Sequence, residues 1–294
     1  MLTAANTITS RCNSRVARIR GLHRRAERER TGLFLAEGIR VVVEAIRQGA
    51  RIEELVAAPS LLRSEVALSL IAEQKGKGVA CLEVSPEVFE SLSLRDGPQG
   101  VAAVVHQRWE TLARAQPGEG LCWLALDAVQ DPGNLGCILR TADAVGAAGV
   151  ILVGVTADPY DPVAVRASTG AVFSQRLVRA SLAELGAWKR EHGISVIGTS
   201  GSARIDYLAA AYQPPMVLFM GSERRGLSEQ HLAVCNLVVS IPMVGSSDSL
   251  NLSVATAVVL YEAFNQRRAG SRHSISPIEM PEASGNHCPR VLST

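Results

Sequence analysis

The chain has 294 residues, 47% of them apolar and 20% charged. That balance supports a buried core and excludes a fibrous or wholly disordered protein. At ~150 residues per domain, the length suits two domains.

No apolar run reaches the ~18–20 residues of a membrane span. The opening MLTAANTITSRCNSR lacks the apolar core of a secretory signal, so a cytoplasmic protein is expected. The six cysteines are scattered without a C-x-x-C pair, which argues against a zinc knuckle and a disulfide framework. The six histidines show no metal-ligand spacing, and no metal is expected.

A net charge of +2 conceals an asymmetry. Residues 11–30 hold eight arginines against Glu27 and Glu29, so this segment carries +6 and the rest of the chain −4. A concentrated basic segment is the footprint of a polyanion, although a solvated helix face with local ion pairs gives the same pattern. Arg18, Arg20, Arg24 and Arg25 are the candidate RNA contacts here. A guanidinium suits phosphate and base stacking better than an ammonium does.

In chain order, a basic helix over 11–30 leads to a strand at 33–36 and a helix at 39–48. Further strands are predicted at 52–57, 79–84 and 101–105, giving a small α/β domain over 1–106. Residues 107–119, with Pro117 and Gly118, read as a linker. From 120 to 269 near-continuous apolar strands alternate with helices, the pattern of a parallel sheet covered on both faces. LCWLALD, GVILVG and residues 194–198, 216–221 and 237–242 are strands. NLGCILRTADAVGA is a helix, DPVAVRASTGAVF is a helix closed by a Gly-containing turn, and 252–268 is a final helix where Val254, Val258 and Tyr261 share one face. The Ser-, Pro- and Gly-rich segment 270–294 is expected to be a disordered tail.

Ligands of open α/β sheets bind beyond the carboxyl ends of the strands. Three unusual loops stand there: DAVQDPGNLGCILR, GSERRGLS and IPMVGSSDSLNLS. Each joins glycine, which lets backbone approach a ligand closely, to polar groups. None matches the dinucleotide or phosphate-loop glycine patterns, so a nicotinamide or ATP enzyme is disfavoured.

These residues resemble the SpoU/TrmH family of RNA ribose 2′-O-methyltransferases in the SPOUT superfamily. Asn134 and Arg140 match its first motif, Gly221, Glu223, Gly226 and Leu227 its second, and IPMVG at 241–245 with Ser249, Leu250 and Asn251 its third. The resemblance covers about residues 121–268. The pieces FLAEGIR and PQGVAAVV extend it to the family's L30e-like RNA-binding accessory domain. It implies a deep trefoil knot, S-adenosylmethionine as cofactor and a homodimer with catalytic residues meeting across the interface. Gly221, Ile241, Met243 and Leu250 are then expected at the cofactor.

Arg140, Asn134, Glu223, Ser249 and Asn251 are the expected catalytic set. Methylating a ribose hydroxyl is an in-line displacement, helped by alignment and completed by loss of a proton. Arginine is a poor base, so Arg140 suits binding the neighbouring phosphate and orienting the hydroxyl. Asn134 and Ser249 also suit helix caps, and Glu223 suits pairing with Arg140 or Asn134. Arg166 and Ser168, in VRASTGAVF, suit either RNA contact or helix packing. The accessory domain favours ribosomal over transfer RNA. A transfer-RNA enzyme and an inactive RNA-binding relative remain the alternatives.

Overall fold

A computed structural model describes residues 7–272. In the N-terminal part, α1 (Ser14–Gly21) and α2 (Arg25–Thr31) precede β1 (Leu33–Glu37), α3 (Ile39–Arg47) and β2 (Ile52–Ala57). Then follow α4 (Glu65–Gly76), β3 (Ala80–Glu83), α5 (Pro86–Leu92) and β4 (Val101–His106). The strands form one sheet in the order β1-β4-β2-β3, with β4 antiparallel to both neighbours and β3 parallel to β2.

The single basic helix expected over 11–30 is two helices. Arg28 explains the break. Its Nη1 donates to the carbonyls of Leu22 and His23 at 3.0 and 2.8 Å, satisfying oxygens that a helix end leaves free. Leu22 is buried in the same corner, so the chain turns there.

The C-terminal part runs β5 (Trp123–Asp127), α6 (Pro132–Ala144), β6 (Gly149–Val153), α7 (Pro162–Ser168), α8 (Ala171–Ser174), β7 (Leu177–Ala180) and α9 (Leu182–His192). It continues with β8 (Ser195–Thr199), β9 (Ile205–Asp206), β10 (Met216–Met220), α10 (Glu229–Leu232), β11 (Leu237–Ser240) and α11 (Leu252–Arg272). All seven strands join one parallel sheet, ordered β7-β6-β5-β10-β8-β11-β9. The order reverses beside β5: β6 and β7 are added outward, and the later strands return on the other side. Such a switch point opens a crevice at the strand ends.

The helix expected within 161–173 is α7, closed at Thr169 and Gly170, whose φ angles are +51° and +108°, and the short α8 follows that turn. The expected stripe of the last helix is corrected. In α11 the packed face is Leu252, Thr256, Val259, Leu260 and Ala263, whereas Val254 and Tyr261 of the expected stripe are exposed. This helix runs to Arg272, and the rest of the expected tail lies outside the described residues.

The two parts share one core. Phe34 of β1 meets the ring of Tyr160 at 4.6 Å and that of Phe173 at 6.0 Å. A continuous cluster of buried residues runs from Val42 and Leu55 to Leu135 and Leu260. Buried Arg28 locks the seam, with Nε 2.7 Å from Asp158 Oδ2 and Nη2 3.1 Å from Asp161 Oδ2. The expected linker is itself packed: Arg179 lies 3.8 Å over the Trp109 ring, and Tyr160 Oη bonds the backbone of Arg108.

Candidate active site

The carboxyl ends of β8, β10 and β11 open into a cavity of about 550 Å³, within the range of small-molecule and cofactor sites. The N-termini of α6 and α11 close its other side. Asn134, Glu223, Ser249 and Asn251 line it, together with Gly221, Ile241, Met243 and Leu250. Eight of the nine expected catalytic and cofactor positions thus converge from three separate loops.

The loop after β10 turns back on itself. Ser222 and Gly226 exchange backbone hydrogen bonds at 3.2 and 2.9 Å. A Cβ on Gly221 would lie 2.2 Å from the carbonyl carbon of Gly226 and 2.4 Å from the amide of Leu227, so only glycine permits this fold-back. It aims Glu223 at α6. Asn134 Nδ2 donates to Glu223 Oε1 at 2.5 Å, and Asn251 Nδ2 donates to Asn134 Oδ1 at 3.0 Å. The three motifs are joined by this chain of amides and one carboxylate. Glu223 pairs with Asn134, the second of its two expected partners.

Asn134 is not the cap of α6. Asp131 occupies that place, its carboxylate accepting from the Asn134 amide at 2.7 Å with Pro132 in the first turn. The Asn134 side chain is therefore free for the site. Asn251 Oδ1 accepts from Ser253 N and Oγ at the start of α11, so that residue fixes the helix entry and also the network.

Arg140 is elsewhere. It lines a second cleft of about 280 Å³ with Arg40, Glu44, Asp143 and residues 168–171. Six residues beyond Asn134 on an α-helix is about 9 Å along the axis and ~240° around it. Within one chain Arg140 does not line the cavity that holds the other eight positions.

The basic segment is largely absorbed by the fold. Glu54 of β2, nearly fully buried, takes Arg15 at 2.7 Å and also Arg18. Arg18 further meets Glu53 at 3.3 Å. Arg20 donates to Ser91 O and Oγ at 3.1 and 2.8 Å. Arg25 pairs with Glu29 at 2.8 Å and donates to Thr156 O at 3.0 Å across the seam. Arg24 stays 74% exposed, with Glu27 4.0 Å away. Arg166 is exposed. Ser168 is fully buried, donates to Val165 O and accepts from Val172 N, so its role is packing.

Thr199, Ser200 and Gly201, after β8, also line the cavity, as do Met220, Val239 and Asp248. Their signal was available: TSGS follows an apolar strand, as the other site loops do. Burial pushes the Cys122 and Cys235 thiols up to about 12 and about 11, which disfavours their thiolate forms. Among the described residues no cluster of His, Cys, Asp or Glu could hold a metal, and no helix is long and apolar enough to cross a membrane.

The cavity suits a nucleoside-sized cofactor held by backbone and apolar contacts. Met220, Val239, Ile241, Leu250 and Leu252 form apolar walls. Gly221 keeps one side open where any Cβ would collide.

Comparison with known proteins agrees with this geometry. The model of the SpoU rRNA Methylase family matches residues 122–261, and that of the MRM3-like substrate binding domain matches residues 13–103. The 23S rRNA (uridine(2479)-2′-O)-methyltransferase of Streptomyces viridochromogenes is 36% identical over 275 residues, covering 91% of this chain and 94% of the relative. The 23S rRNA (guanosine(2553)-2′-O)-methyltransferase RlmP of Bacillus subtilis is 32% identical, with 86% and 97% covered. The crystal structure of an AdoMet-bound rRNA methyltransferase from Sinorhizobium meliloti superposes with a TM-score of 0.80 at 37% identity, covering 92% of this chain and 98% of that one. With the motifs, the fold and relatives of nearly full length in accord, the chain belongs to the SpoU rRNA methylase family.

Proposed function

We propose that this protein methylates a ribose 2′-hydroxyl of 23S ribosomal RNA, using S-adenosylmethionine. The carrying observation is the hydrogen-bonded chain Glu223–Asn134–Asn251, which gathers three distant loops at one cavity. The cofactor supplies, when bound, a methyl group on a positively charged sulfur. Gly221, Ile241, Met243 and Leu250 hold it by backbone and apolar contact. Asn134 and Asn251 offer amides to the ribose at the cavity mouth, and Glu223 and Asn251 keep the Asn134 amide in one orientation. Such alignment supplies much of the acceleration of a bimolecular displacement.

Arg140 reaches this site from a second copy of the chain. In its own chain it faces a different cleft. The exposed Val254 and Tyr261 on α11, packed beside α6, offer an apolar stripe for a two-fold contact. There the guanidinium binds the phosphate next to the target ribose and orients the hydroxyl, whose proton leaves to phosphate or water. The loops 221–236 and 241–251 are assigned to a trefoil knot. Insertion of β10 between β5 and β8, with the return of α11 onto α6, supports that threading.

The names of the similar enzymes support ribosomal RNA. Exposed Arg24 and Arg166 are assigned to RNA contact, and the protein to the cytoplasm. Labelled methyl transfer to bulk ribosomal RNA, with transfer RNA and the Arg140→Ala variant as controls, tests the reading. Transfer to ribosomal RNA alone is expected. Transfer to transfer RNA, or to no RNA, overturns it.

A further inference from the structure

Arg40 lies in the first turn of α3, in the N-terminal domain, yet it lines the same cleft as Arg140 of the catalytic domain. The cleft straddles the seam. Gly170 allows the close approach, since a Cβ there would stand 2.5 Å from Glu44 Cγ of α3. Neither Arg40 nor Arg140 makes an ion pair among the described residues. Both carboxylates of the cleft are held by neutral donors. Gln48 Nε2 donates to Glu44 at 2.7 Å, Ser174 Oγ to Asp143 at 2.6 Å, and Gln175 Nε2 to Asp143 at 3.4 Å. Arg166, two residues before Ser168 of this cleft, lines a narrow neighbouring cleft with Arg95. Arg95 and Arg166 likewise lack ion pairs among the described residues. Four arginines from two domains therefore follow the seam, while the arginines of 11–30 are mostly paired.

The seam does not flex easily. Buried Arg28 bridges it to Asp158 and Asp161, and Phe34 packs into both halves. Whatever cavity Arg140 completes, Arg40 and its domain are carried to the same place. Arg140 does not meet the cavity of its own chain.

We infer that the N-terminal domain of each copy serves the methyl-transfer site of the other copy, with Arg40 gripping RNA phosphate beside Arg140. The ligand is the ribose-phosphate backbone flanking the target nucleotide, which the guanidinium fork suits. Arg40 is a positioning residue: it holds RNA and touches no reacting atom. The inference rests on the reading that Arg140 crosses between copies.

Mixed dimers test both, separately. Two differently tagged chains are co-expressed and isolated through both tags. In the control pair one chain carries Arg140→Ala and the other Asn134→Ala. Crossing leaves one complete site, so about half of wild-type turnover is expected. An inactive control pair overturns the crossing of Arg140 and the inference with it. Arg40→Glu is then added to one chain at a time. An acidic residue in a first helical turn is well tolerated, so the fold is retained, and the unfolding midpoint verifies this. In the Asn134→Ala chain, which donates the working Arg140, it raises the KM for RNA about tenfold at low salt with kcat little changed, and the difference from the control pair shrinks as salt is added. In the Arg140→Ala chain it changes nothing. The reverse pattern, equal effects in both chains, or no effect in either overturns the inference while leaving the control result standing.

Discussion

Asn134 Nδ2 and Glu223 Oε1 stand 2.5 Å apart across 89 residues of chain. Asn251 engages the other end of the same amide at 3.0 Å, so the amide has a single orientation. Asn134→Asp would place two carboxylates in contact and push the loop after β10 away from α6. S-adenosylmethionine affinity is expected to fall roughly tenfold, about 1.4 kcal/mol. Adding Glu223→Gln to Asn134→Asp removes the repulsion and restores most of it. Calorimetry on the single and double variants reads this coupling; simple additivity would refute the contact.

Arg140 and the cavity are separate in one chain. Arg140→Ala is therefore expected to lower kcat by about a hundredfold or more, as loss of a charged group aligned with the reacting centre does. The affinity for S-adenosylmethionine stays within about twofold. Equal loss of both would place Arg140 at the cofactor.

Arginines of the basic segment fall into two kinds. Arg18→Glu would set a carboxylate against buried Glu54, and a clear drop in the urea midpoint is expected. Arg24→Glu removes only an exposed charge, so stability is kept and RNA binding weakens, most at low salt. Titrations of both variants at two salt concentrations distinguish these outcomes.

Arg28→Met leaves Asp158 and Asp161 unpaired at the seam and uncaps Leu22 and His23. Losing one partner of a buried ion pair costs about 3–5 kcal/mol. Denaturant unfolding should show this loss. A change below about 1 kcal/mol would mean that water replaces the guanidinium.

Burial pushes the His23 imidazole below its usual value of 6.5, outweighing its backbone hydrogen bond at Leu92; Arg28 and Arg20 act in the same direction as burial. The unfolded chain then takes up the proton first as pH falls. The stability due to neutral His23 is complete above pH 6.5 and is lost as pH drops toward the lowered value. Urea midpoints at pH 7.5 and pH 5 should differ less in His23→Gln than in the parent. An unchanged difference would refute the assignment.

Much of the site was legible because its loops interrupt apolar strands with glycine and amides. Gly221, Glu223, Asn251 and Asn134 carry that pattern in the sequence and meet in space. Local pattern does not report which cavity a helix residue faces, so the cleft that Arg140 lines in its own chain was not legible in the sequence. The break between α1 and α2 depends on Arg28 reaching back to carbonyls five and six residues earlier, which periodicity does not register. In α11 two apolar stripes compete, and packing against α6 selects the one through Val259 and Ala263. The partners of Arg15 and Arg18 come from β2, far along the chain, so a count of local charge overstated what remains free for RNA.

The shared core around Phe34 gives the molecule the character of a caliper. With the jaws set by buried rings and a locked guanidinium, the seam arginines of both domains are held at a fixed spacing within each chain. If those arginines grip RNA as inferred above, an RNA would be taken by the spacing of its phosphates and sugars, that is by its tertiary shape, more than by the letters of its bases.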